Sequence, residues 1–451
     1  MNGTLGTHDR YRAVTRLNIA EHREWRLLAR EQREALQVVS RVLPFRANEY
    51  VLRELIDWQR VPDDPIYQLT FPQRAMLDPT DYAAMRDLLR RDAPEPEINA
   101  LANAIRRSLN PHPAGQLSDN VPVLDGERLP GLQHKYRETV LFFPAQGQTC
   151  HAYCTYCFRW AQFVGLPELK FEARETAQLV AYLVAHPLVS DVLFTGGDPL
   201  IMKTDTLRRY VEPLLDPALR HVQTIRFGTK ALAYWPQRFT TDPDADDLMR
   251  LIDDILAAGR HVALMAHYSH PAELRTPIAE EAVRRVRSAG AEVRMQAPVV
   301  RHVNDHPGAW AEMWRHGVRL GMIPYYMFVE RDTGPKNYFE VSLARAHQIF
   351  RQAYRRVSGL ARTARGPSMS AWPGKVRILG TTRVAEEEVF VLDFLQARDP
   401  AWVRRPFFAR YDESATWLDQ LEPAFCEDHF FFEEEGALTR DARNEMPAWV
   451  A

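Results

Sequence analysis

The chain has 451 residues, 46% of them hydrophobic and 26% charged, which is the composition of a globular protein. This length predicts one large domain with extensions, or two to three domains. A formal net charge of −2 gives no electrostatic basis for a nucleic-acid or anionic-membrane partner. Because no run of about 18 apolar residues occurs and the N-terminus lacks the apolar core of a signal peptide, we expect a cytoplasmic protein.

The first part of the chain is predicted to be helical and polar. Residues 21–43 and 47–59 carry apolar side chains at helical spacing. Residues 109–131 are rich in Pro, Gly, Asn and Asp, which is typical of a loop or a domain boundary. We therefore predict an N-terminal helical region over residues 1–125.

After this boundary, short apolar runs alternate with amphipathic stretches. The runs predict six strands, at 139–145, 191–197, 224–229, 261–268, 292–300 and 323–329. The stretches predict six helices, at 175–187, 205–215, 244–259, 280–290, 308–321 and 341–357. Parallel strands need helical crossovers, so the alternation predicts an α/β fold with a partial TIM barrel of (β/α)6 type over residues 126–380. Residues 381–451 are predicted to be a C-terminal packing or interface extension.

Polar motifs occur where the predicted strands end, which is where such barrels carry their chemistry. In chain order they are three cysteines, "TGGDP" at 195–199, "GTK" at 228–230, "HYSHP" at 267–271, Gln296 within the fifth strand, and "ERD" at 330–332. This common location predicts a single site.

Three of the four cysteines, Cys150, Cys154 and Cys157, fall within eight residues. A structural zinc site needs four ligands, for which only Cys426 and histidines remain. A redox pair of Cys154 and Cys157 would leave Cys150 without a role, and buried inert cysteines need no fixed spacing. Three thiolates on one loop suit a 4Fe–4S cluster that keeps one iron open.

This C-x-x-x-C-x-x-C loop, with Tyr156 before its last cysteine, resembles the motif of the radical S-adenosylmethionine enzymes. The resemblance implies that the open iron binds S-adenosylmethionine. One electron, from a donor such as flavodoxin or ferredoxin, then cleaves the cofactor, and the 5′-deoxyadenosyl radical takes a hydrogen atom from the substrate. The barrel would aim and shield this radical.

The resemblance extends to other residues at the strand ends. It implies contacts to the cofactor from Gly196, Gly197, Asp198, Thr229, Lys230, His267 and Gln296. Among these, the carboxylate of Asp198 would accept from the methionine ammonium, and "GTK" would contact the methionine carboxylate. His270 would line the substrate pocket, although a histidine satisfied within the core remains the alternative for either histidine.

Most of the chain, from 63–73 to 372–375, resembles the lysine 2,3-aminomutase family. The similar segments are "HKYRETVL" at 134–141, "GGDPL" at 196–200, "WPQRFT" at 235–240, "HYSHP", "VND" at 303–305, "IPYY" at 323–326, "SG" at 358–359 and "WPGK" at 372–375. The resemblance implies pyridoxal phosphate on Lys375, for which a surface lysine after a Pro-Gly turn is the alternative. Two arginines that hold the phosphate in relatives are replaced by Lys135 and Thr139, and Arg137 is adjacent.

The resemblance also bears on the substrate. Arg159 matches the arginine that holds the α-carboxylate of the substrate in aminomutases. Two aspartates that surround the ammonium of lysine in lysine-specific members are replaced by Arg331 and Ser368. Arginine cannot accept a hydrogen bond from an ammonium, so the substrate is expected to be another amino acid unless Asp332 or Glu330 takes that place. An arginine suits an acidic or otherwise acceptor-bearing side chain.

Three hypotheses follow for the activity. The first is a pyridoxal-dependent radical aminomutase, an isomerase that acts on an amino acid other than lysine. The second is a radical S-adenosylmethionine enzyme without pyridoxal phosphate that epimerises, dehydrogenates or rearranges a metabolite. The third is an iron–sulfur electron carrier or sensor, which has no use for Gly197, Asp198 and Arg159. The family leads us to expect a homo-oligomer, and the zinc-binding cysteines of some members are missing, since Cys426 and His429 stand alone.

Overall fold

Short helices and two small hairpins make up the N-terminal part of the computed structural model, which describes residues 10–110, 120–165, 170–174 and 176–433. The hairpins pair β1 (Ala13–Val14) with β2 (Ala47–Asn48), and β3 (Val123–Leu124) with β4 (Glu127–Arg128). The helices are α1 (Arg30–Val39), α2 (Pro65–Thr70), α3 (Pro79–Arg90) and α4 (Glu95–Ser108). Asp64 and Asp78 cap the second and third of these helices, each followed by proline at the first helical position.

The two long helices predicted for this part are only partly present. Residues 21–43 hold α1 and a short 3-10 turn at Arg23–Leu27, and residues 47–59 hold a π-helical turn at Val51–Leu55. The second difference has a tertiary cause, because the side chain of Asn48 accepts from the backbone of Val51 and donates to the carbonyls of His151 and Tyr234. These distant contacts override the local helical spacing.

A sheet of eleven strands follows, and its order is the order of the strands in the chain. The strands are β5 (Leu132–Tyr136), β6 (Thr139–Phe142), β7 (Asp191–Phe194), β8 (Thr224–Thr229), β9 (His261–His267), β10 (Glu292–Val299), β11 (Ile323–Val329), β12 (Arg365–Ser370), β13 (Gly374–Val384), β14 (Glu387–Ala397) and β15 (Phe407–Arg410). Strands β6 to β12 are parallel, and the others pair antiparallel. All six predicted strands are confirmed.

Helices cross over between the parallel strands. They are α5 (Ala177–Ala185), α6 (Thr204–Val211), α7 (Ala231–Tyr234), α8 (Ala245–Ala257), α9 (Pro277–Ser288), α10 (Pro307–Arg319), α11 (Lys336–Phe339) and α12 (Leu343–Tyr354). Each of the six predicted helices corresponds to one of them, although Glu175, at the predicted start of the first, lies outside the described residues. The predicted α/β fold with (β/α)6 units is therefore confirmed.

The sheet curls into an open barrel. Strand β5 contacts β14 although eight strands lie between them in the sheet. The ammonium of Lys135 on β5 also donates to the carbonyl of Ala371, just after β12. Strand β12 is a seventh parallel strand that was not predicted. Its sequence "RGPSMS" has only one large apolar residue and therefore lacks the pattern of a buried strand. Strands β13 to β15 continue the sheet as an antiparallel extension.

Two hydrophobic clusters contain most of the buried apolar side chains. The larger joins the N-terminal helices to the barrel, and the smaller lies between β12 to β15 and the C-terminal segment up to Phe432. The domain boundaries at 125 and 380 stay a prediction, and residues 434–451 of the predicted extension lie outside the described part. No helix within the described ranges is both long and apolar enough to cross a membrane. The cytoplasmic location stays a prediction.

Candidate active site

The three clustered cysteines lie on the loop after β6, and the N-terminal region holds this loop in place. The backbone N–H of Tyr153 donates to the carbonyl of Arg46 at 2.8 Å, and that of Thr155 donates to Leu69 at 2.9 Å. The Thr155 hydroxyl also donates to the Gln68 carbonyl at 2.8 Å. A loop fixed by its backbone leaves its side chains available for a ligand.

The environment of the cysteine thiols suits a metal cluster better than free thiols. Burial raises the pKa of Cys150, Cys154 and Cys157, the last to about 12, and neighbouring cysteines raise the pKa of Cys150 and Cys157 further. The three sulfurs are thus close enough to interact, and a cation that binds thiolates would offset the burial. Within the described ranges, no group of three or more His, Cys, Asp or Glu side chains converges on the position of a single metal ion. A four-iron cluster needs no such convergence, since each thiolate binds a different iron.

The turn after β7 packs directly against the cysteine loop. The backbone N–H of Asp198 donates to the carbonyls of Gly147 and Thr149, at 3.0 and 2.7 Å. A Cβ on Gly197 would lie 2.5 Å from the Thr149 carbonyl oxygen, so only glycine allows this approach. Gly197 therefore fixes the position of the backbone that precedes Cys150.

Replacing Gly197 with alanine is expected to displace the cysteine loop, because the clash is with backbone and not with a flexible side chain. We expect a loss of iron after anaerobic reconstitution, and a loss of about 1–3 kcal/mol in the free energy of unfolding. Gly359→Ala is the matched control, since nothing lies within 4 Å of its added Cβ. Equal iron content in both variants would contradict the assigned role.

The carboxylate of Asp198 has protein partners that the sequence did not predict. It accepts from the Thr229 hydroxyl at 2.8 and 2.9 Å, from the Lys230 backbone N–H at 2.8 Å and from the Leu200 N–H at 3.0 Å. Burial raises its pKa to about 6 against these donors. This carboxylate ties the turn after β7 to the end of β8. Its contact to the ammonium of a ligand stays a prediction.

Lys230 belongs to a buried network beside the cysteines. Its ammonium lies 2.7 Å from a carboxylate oxygen of Glu273, which is fully buried, and donates to the Ser269 hydroxyl at 3.1 Å. The same Ser269 hydroxyl lies 2.9 Å from that of Tyr156. Tyr234 places its hydroxyl 3.3 Å from Cys154 and its ring 4.6 Å from the Lys230 ammonium. This network closes one side of the cysteine loop.

The two histidines of "HYSHP" have different surroundings. His267 accepts from the amide of Gln296 at 3.0 Å, and burial and then Lys230 lower its pKa to about 3, so its ring is neutral. His270 caps a short helix by accepting from the Ala272 N–H at 3.2 Å. The roles of these two histidines and Gln296 in ligand binding stay predictions.

Lys375 is partly buried and lies within a strand. It is the second residue of β13, donates to the Gln396 side chain at 3.1 Å and lies 4.2 Å from the centre of the Tyr326 ring. Burial, followed by the charges of Arg226 and Arg365, lowers its pKa to about 7. In the described part of the chain, no carboxylate is within ion-pair distance of its ammonium. This amine is therefore available as a nucleophile near neutral pH.

The surroundings of Lys375 are positively charged. Arg365 lies 4.8 Å from the same Tyr326 ring, and Arg226 pairs with Asp191, which also accepts from the Thr139 hydroxyl at 3.0 Å. By contrast, Arg137 is half-exposed and pairs with Glu138. Arg226 and Arg365 thus bring positive charge to the surroundings of Lys375, and the phosphate-binding roles of Lys135 and Arg137 stay predictions.

Arg159 and Arg331 meet at one aromatic ring. Their guanidinium carbons lie 5.5 and 5.4 Å from the centre of the Phe158 ring, and Arg159 also lies 4.1 Å from that of Phe143. Burial lowers the pKa of Arg159 to about 10, with Cys157 opposing the shift and Arg331 adding to it. Two predicted substrate residues from distant parts of the chain are therefore neighbours.

The remaining predicted substrate residues lie around the end of β11 and on β12. Ser368 is fully buried on β12, and its hydroxyl donates to the Met327 carbonyl at 3.5 Å. Asp332 lies close enough to Arg331 to oppose the lowering of its pKa by burial. Glu330 is buried, and burial raises its pKa well above the usual range. This burial disfavours the charged carboxylate.

A chain of neighbouring side chains joins the cysteines to Lys375. Cys157 interacts with Arg159, Arg159 with Arg331, and Arg331 with Tyr136. Burial, followed by other tyrosines, raises the pKa of Tyr326, and Tyr136 contributes to this shift. Lys375 lies against the Tyr326 ring, so electrostatic interactions connect the cysteine loop with the surroundings of Lys375. That these residues form a single site stays a prediction.

Four residues of this site carried no recognisable motif. They are Arg226, Glu273, Arg365 and Gln396. Two signals in the sequence were available. One is a charged residue within a predicted strand or loop, and the other is the position of Glu273 three residues after the capping His270. Gln396 reaches Lys375 only through the pairing of β13 with β14, which no local pattern specifies.

Relatives of known name match most of the chain. A protein of Aquifex aeolicus (strain VF5) named as an L-lysine 2,3-aminomutase is 28% identical over 397 residues, which cover 88% of this chain and 92% of that protein. A second A. aeolicus protein of the same name is 30% identical over 251 residues, 56% of this chain and 64% of its own length. The L-lysine 2,3-aminomutase of Clostridium subterminale is 24% identical over 320 residues, which cover 71% of this chain and 69% of that enzyme.

The chain is thus similar to members of the lysine 2,3-aminomutase family over much of its length. This similarity agrees with the resemblance stated from the sequence, which implies a 4Fe–4S cluster and S-adenosylmethionine at the cysteine loop. No family model matches the chain. Among solved structures, a radical SAM methyltransferase from Sphaerobacter thermophilus has a TM-score of 0.37 at 17% identity, covering 62% of this chain and 91% of that chain, and we draw no conclusion from a similarity of this size.

Proposed function

We propose that this radical S-adenosylmethionine enzyme is a pyridoxal-phosphate-dependent 2,3-aminomutase for an amino acid other than lysine. The observation that carries the proposal is the position of Lys375, a partly buried amine without an acidic partner in the described structure, which lies against the Tyr326 ring and donates to Gln396. A partly buried lysine without an acidic partner suits a functional role, because removing an uncompensated cation from water is costly.

The residues around Lys375 suit a phosphorylated aldehyde. An amine whose pKa is about 7 attacks an aldehyde at neutral pH, and the rings of Tyr326 and Phe328 offer flat surfaces at 4.2 and 5.6 Å from its nitrogen. Arg365 and Arg226 would supply positive charge for a phosphate group. When bound, pyridoxal phosphate would supply an electron-delocalising ring for the migrating amino group.

The chain's own residues would then perform three tasks. Lys375 would hold pyridoxal phosphate, and Arg159 would fix the α-carboxylate of the substrate. The backbone around Gly197 would contact S-adenosylmethionine next to the cysteine loop. The shielded interior would keep a radical away from water. Arg331 and Ser368 provide no carboxylate where lysine-specific members have two, which supports a different substrate.

One observation favours the second candidate, a radical enzyme without pyridoxal phosphate. Thr139 stands where relatives have a phosphate-binding arginine, and its hydroxyl is bonded to Asp191. An anionic Asp191 near the phosphate position would oppose phosphate binding unless its pairing with Arg226 neutralises it. The same experiment separates the two candidates.

The experiment is borohydride reduction of anaerobically purified protein supplemented with pyridoxal phosphate, followed by peptide mass spectrometry. A phosphopyridoxyl mass on Lys375 supports the aminomutase proposal. Unmodified Lys375 in protein with an intact cluster contradicts it and favours the pyridoxal-free enzyme.

Replacing Arg159 with alanine is expected to weaken binding of the amino-acid substrate by about 2–5 kcal/mol, because a buried charge pair loses one partner. Hydrogen transfer from substrate to 5′-deoxyadenosine would report the loss. Arg137→Ala is the control, since Arg137 pairs with Glu138 at the surface. Unchanged kinetics in Arg159→Ala would remove the carboxylate argument. The electron donor and the homo-oligomeric state stay predictions from the sequence.

A further inference from the structure

Arg331 and Arg159 are two cations that lie near the same aromatic ring. Both guanidinium groups face the Phe158 ring, and neither has a carboxylate within ion-pair distance in the described part of the chain. The Nε atom of Arg331 is buried without a hydrogen-bond partner. An unsatisfied donor on a buried cation is costly, which points to a ligand that supplies the missing acceptor.

The groups around these arginines do not balance both charges. Arg159 interacts with Cys157 and Cys150. As thiolates in a cluster, these two cysteines would partly offset the positive charge of Arg159. Arg331 interacts with Asp332 and with the Tyr136 hydroxyl, but Asp332 is not in ion-pair contact with it. Of the two cations, Arg331 therefore has the greater need for an anion from outside the chain.

We propose that the substrate is a dicarboxylic α-amino acid, whose α-carboxylate binds Arg159 and whose side-chain carboxylate binds Arg331. This inference rests on the proposed function and adds the substrate class. A guanidinium offers two parallel donors to each carboxylate, so two such pairs would orient the substrate across the pocket. A side-chain ammonium would be repelled by Arg331, and a neutral side chain would leave this arginine unpaired.

The test uses the anaerobically reconstituted enzyme with S-adenosylmethionine, pyridoxal phosphate and dithionite. Perdeuterated L-aspartate, L-glutamate, L-asparagine, L-glutamine and L-lysine are supplied separately, and deuterium in 5′-deoxyadenosine is measured by mass spectrometry. We expect transfer from at least one of the two acids to be at least about tenfold faster than from its amide or from lysine.

Variants at Arg331 connect this preference to the structure. Arg331→Gln is expected to reduce the ratio of acid to amide at least about tenfold, and Arg331→Lys to retain more of it because the charge remains. Arg284→Gln on the exposed face of α9 is the control for loss of an arginine and should leave the ratio unchanged.

Each outcome bears on one proposal. Equal transfer from the acids and their amides, or preferred transfer from lysine, overturns the dicarboxylic assignment and leaves the aminomutase proposal standing. If no amino acid transfers deuterium, the thermal unfolding midpoint of the loaded enzyme is measured with each amino acid. A larger increase of this midpoint with an acid than with its amide supports the dicarboxylic assignment, and equal increases overturn it. Absence of a phosphopyridoxyl adduct on Lys375 counts against the proposed function itself.

Discussion

Replacing Cys154 with alanine is expected to abolish both the cluster and the cleavage of S-adenosylmethionine. The cysteine loop provides three thiolates for three irons, so loss of one leaves a second iron without a protein ligand. Iron and sulfide content and the electron paramagnetic resonance signal of the reduced protein measure the cluster. Formation of 5′-deoxyadenosine measures cleavage, and we expect none above the background of protein-free reductant.

Cys426→Ala is the matched control, because Cys426 is exposed and outside the cysteine loop. It should keep the cluster and its turnover. An intact cluster with full turnover in Cys154→Ala would exclude the assigned ligand set, and with it the radical mechanism at this loop. Loss of the cluster in both variants would point to a general instability towards reconstitution.

The barrel was predictable because its strands and helices have strong local patterns. Short apolar runs such as those of β8 and β9 alternate with amphipathic segments of helical periodicity. Parallel strands joined by helices allow few topologies besides a parallel sheet of this kind. The ends of parallel strands meet at one edge of the sheet, which is why the motifs could be placed together from the sequence. The structure adds β12, whose glycine, proline and serines give no strand pattern.

The N-terminal region illustrates what local patterns do not contain. Its residues 47–59 have helical spacing, yet they form a turn that carries Asn48 into contact with the cysteine loop. The backbone of Arg46 and Leu69 also bonds to that loop. These contacts link positions about 90 to 110 residues apart, and their geometry depends on the folded barrel.

The charges of the site show the same limit. Sequence spacing indicated Asp198 and Lys230 as ligand-binding residues, but it could not show that Thr229 and Glu273 already partner them. It identified Lys375, but not that Arg365 would lie against the same ring. Burial and the sum of neighbouring charges decide the behaviour of such groups, and both arise only when distant strands pair.

Lys375→Ala is expected to remove covalent attachment of pyridoxal phosphate while the cluster remains. The cysteine loop and Lys375 lie on separate elements, so the variant should still cleave S-adenosylmethionine, without amino migration. Borohydride trapping followed by mass spectrometry measures attachment, and iron content measures the cluster. Lys203→Ala, at an exposed position before α6, is the control and should keep both. Unchanged attachment in Lys375→Ala would mean that another lysine carries the cofactor.

The pH dependence of trapping gives a sharper test of the same residue. Burial, followed by Arg226 and Arg365, lowers the pKa of Lys375 from 10.5 to about 7. Below this pH the amine holds a proton and cannot attack the aldehyde, so the initial rate of attachment should rise through pH 7 and level off above it. An exposed lysine would continue to gain reactivity up to its pKa of about 10.4. Arg365→Gln removes one positive charge beside the amine and should move the midpoint to higher pH. A midpoint near 10 in the wild-type protein would show that Lys375 is solvated and would remove the main support for the aminomutase proposal.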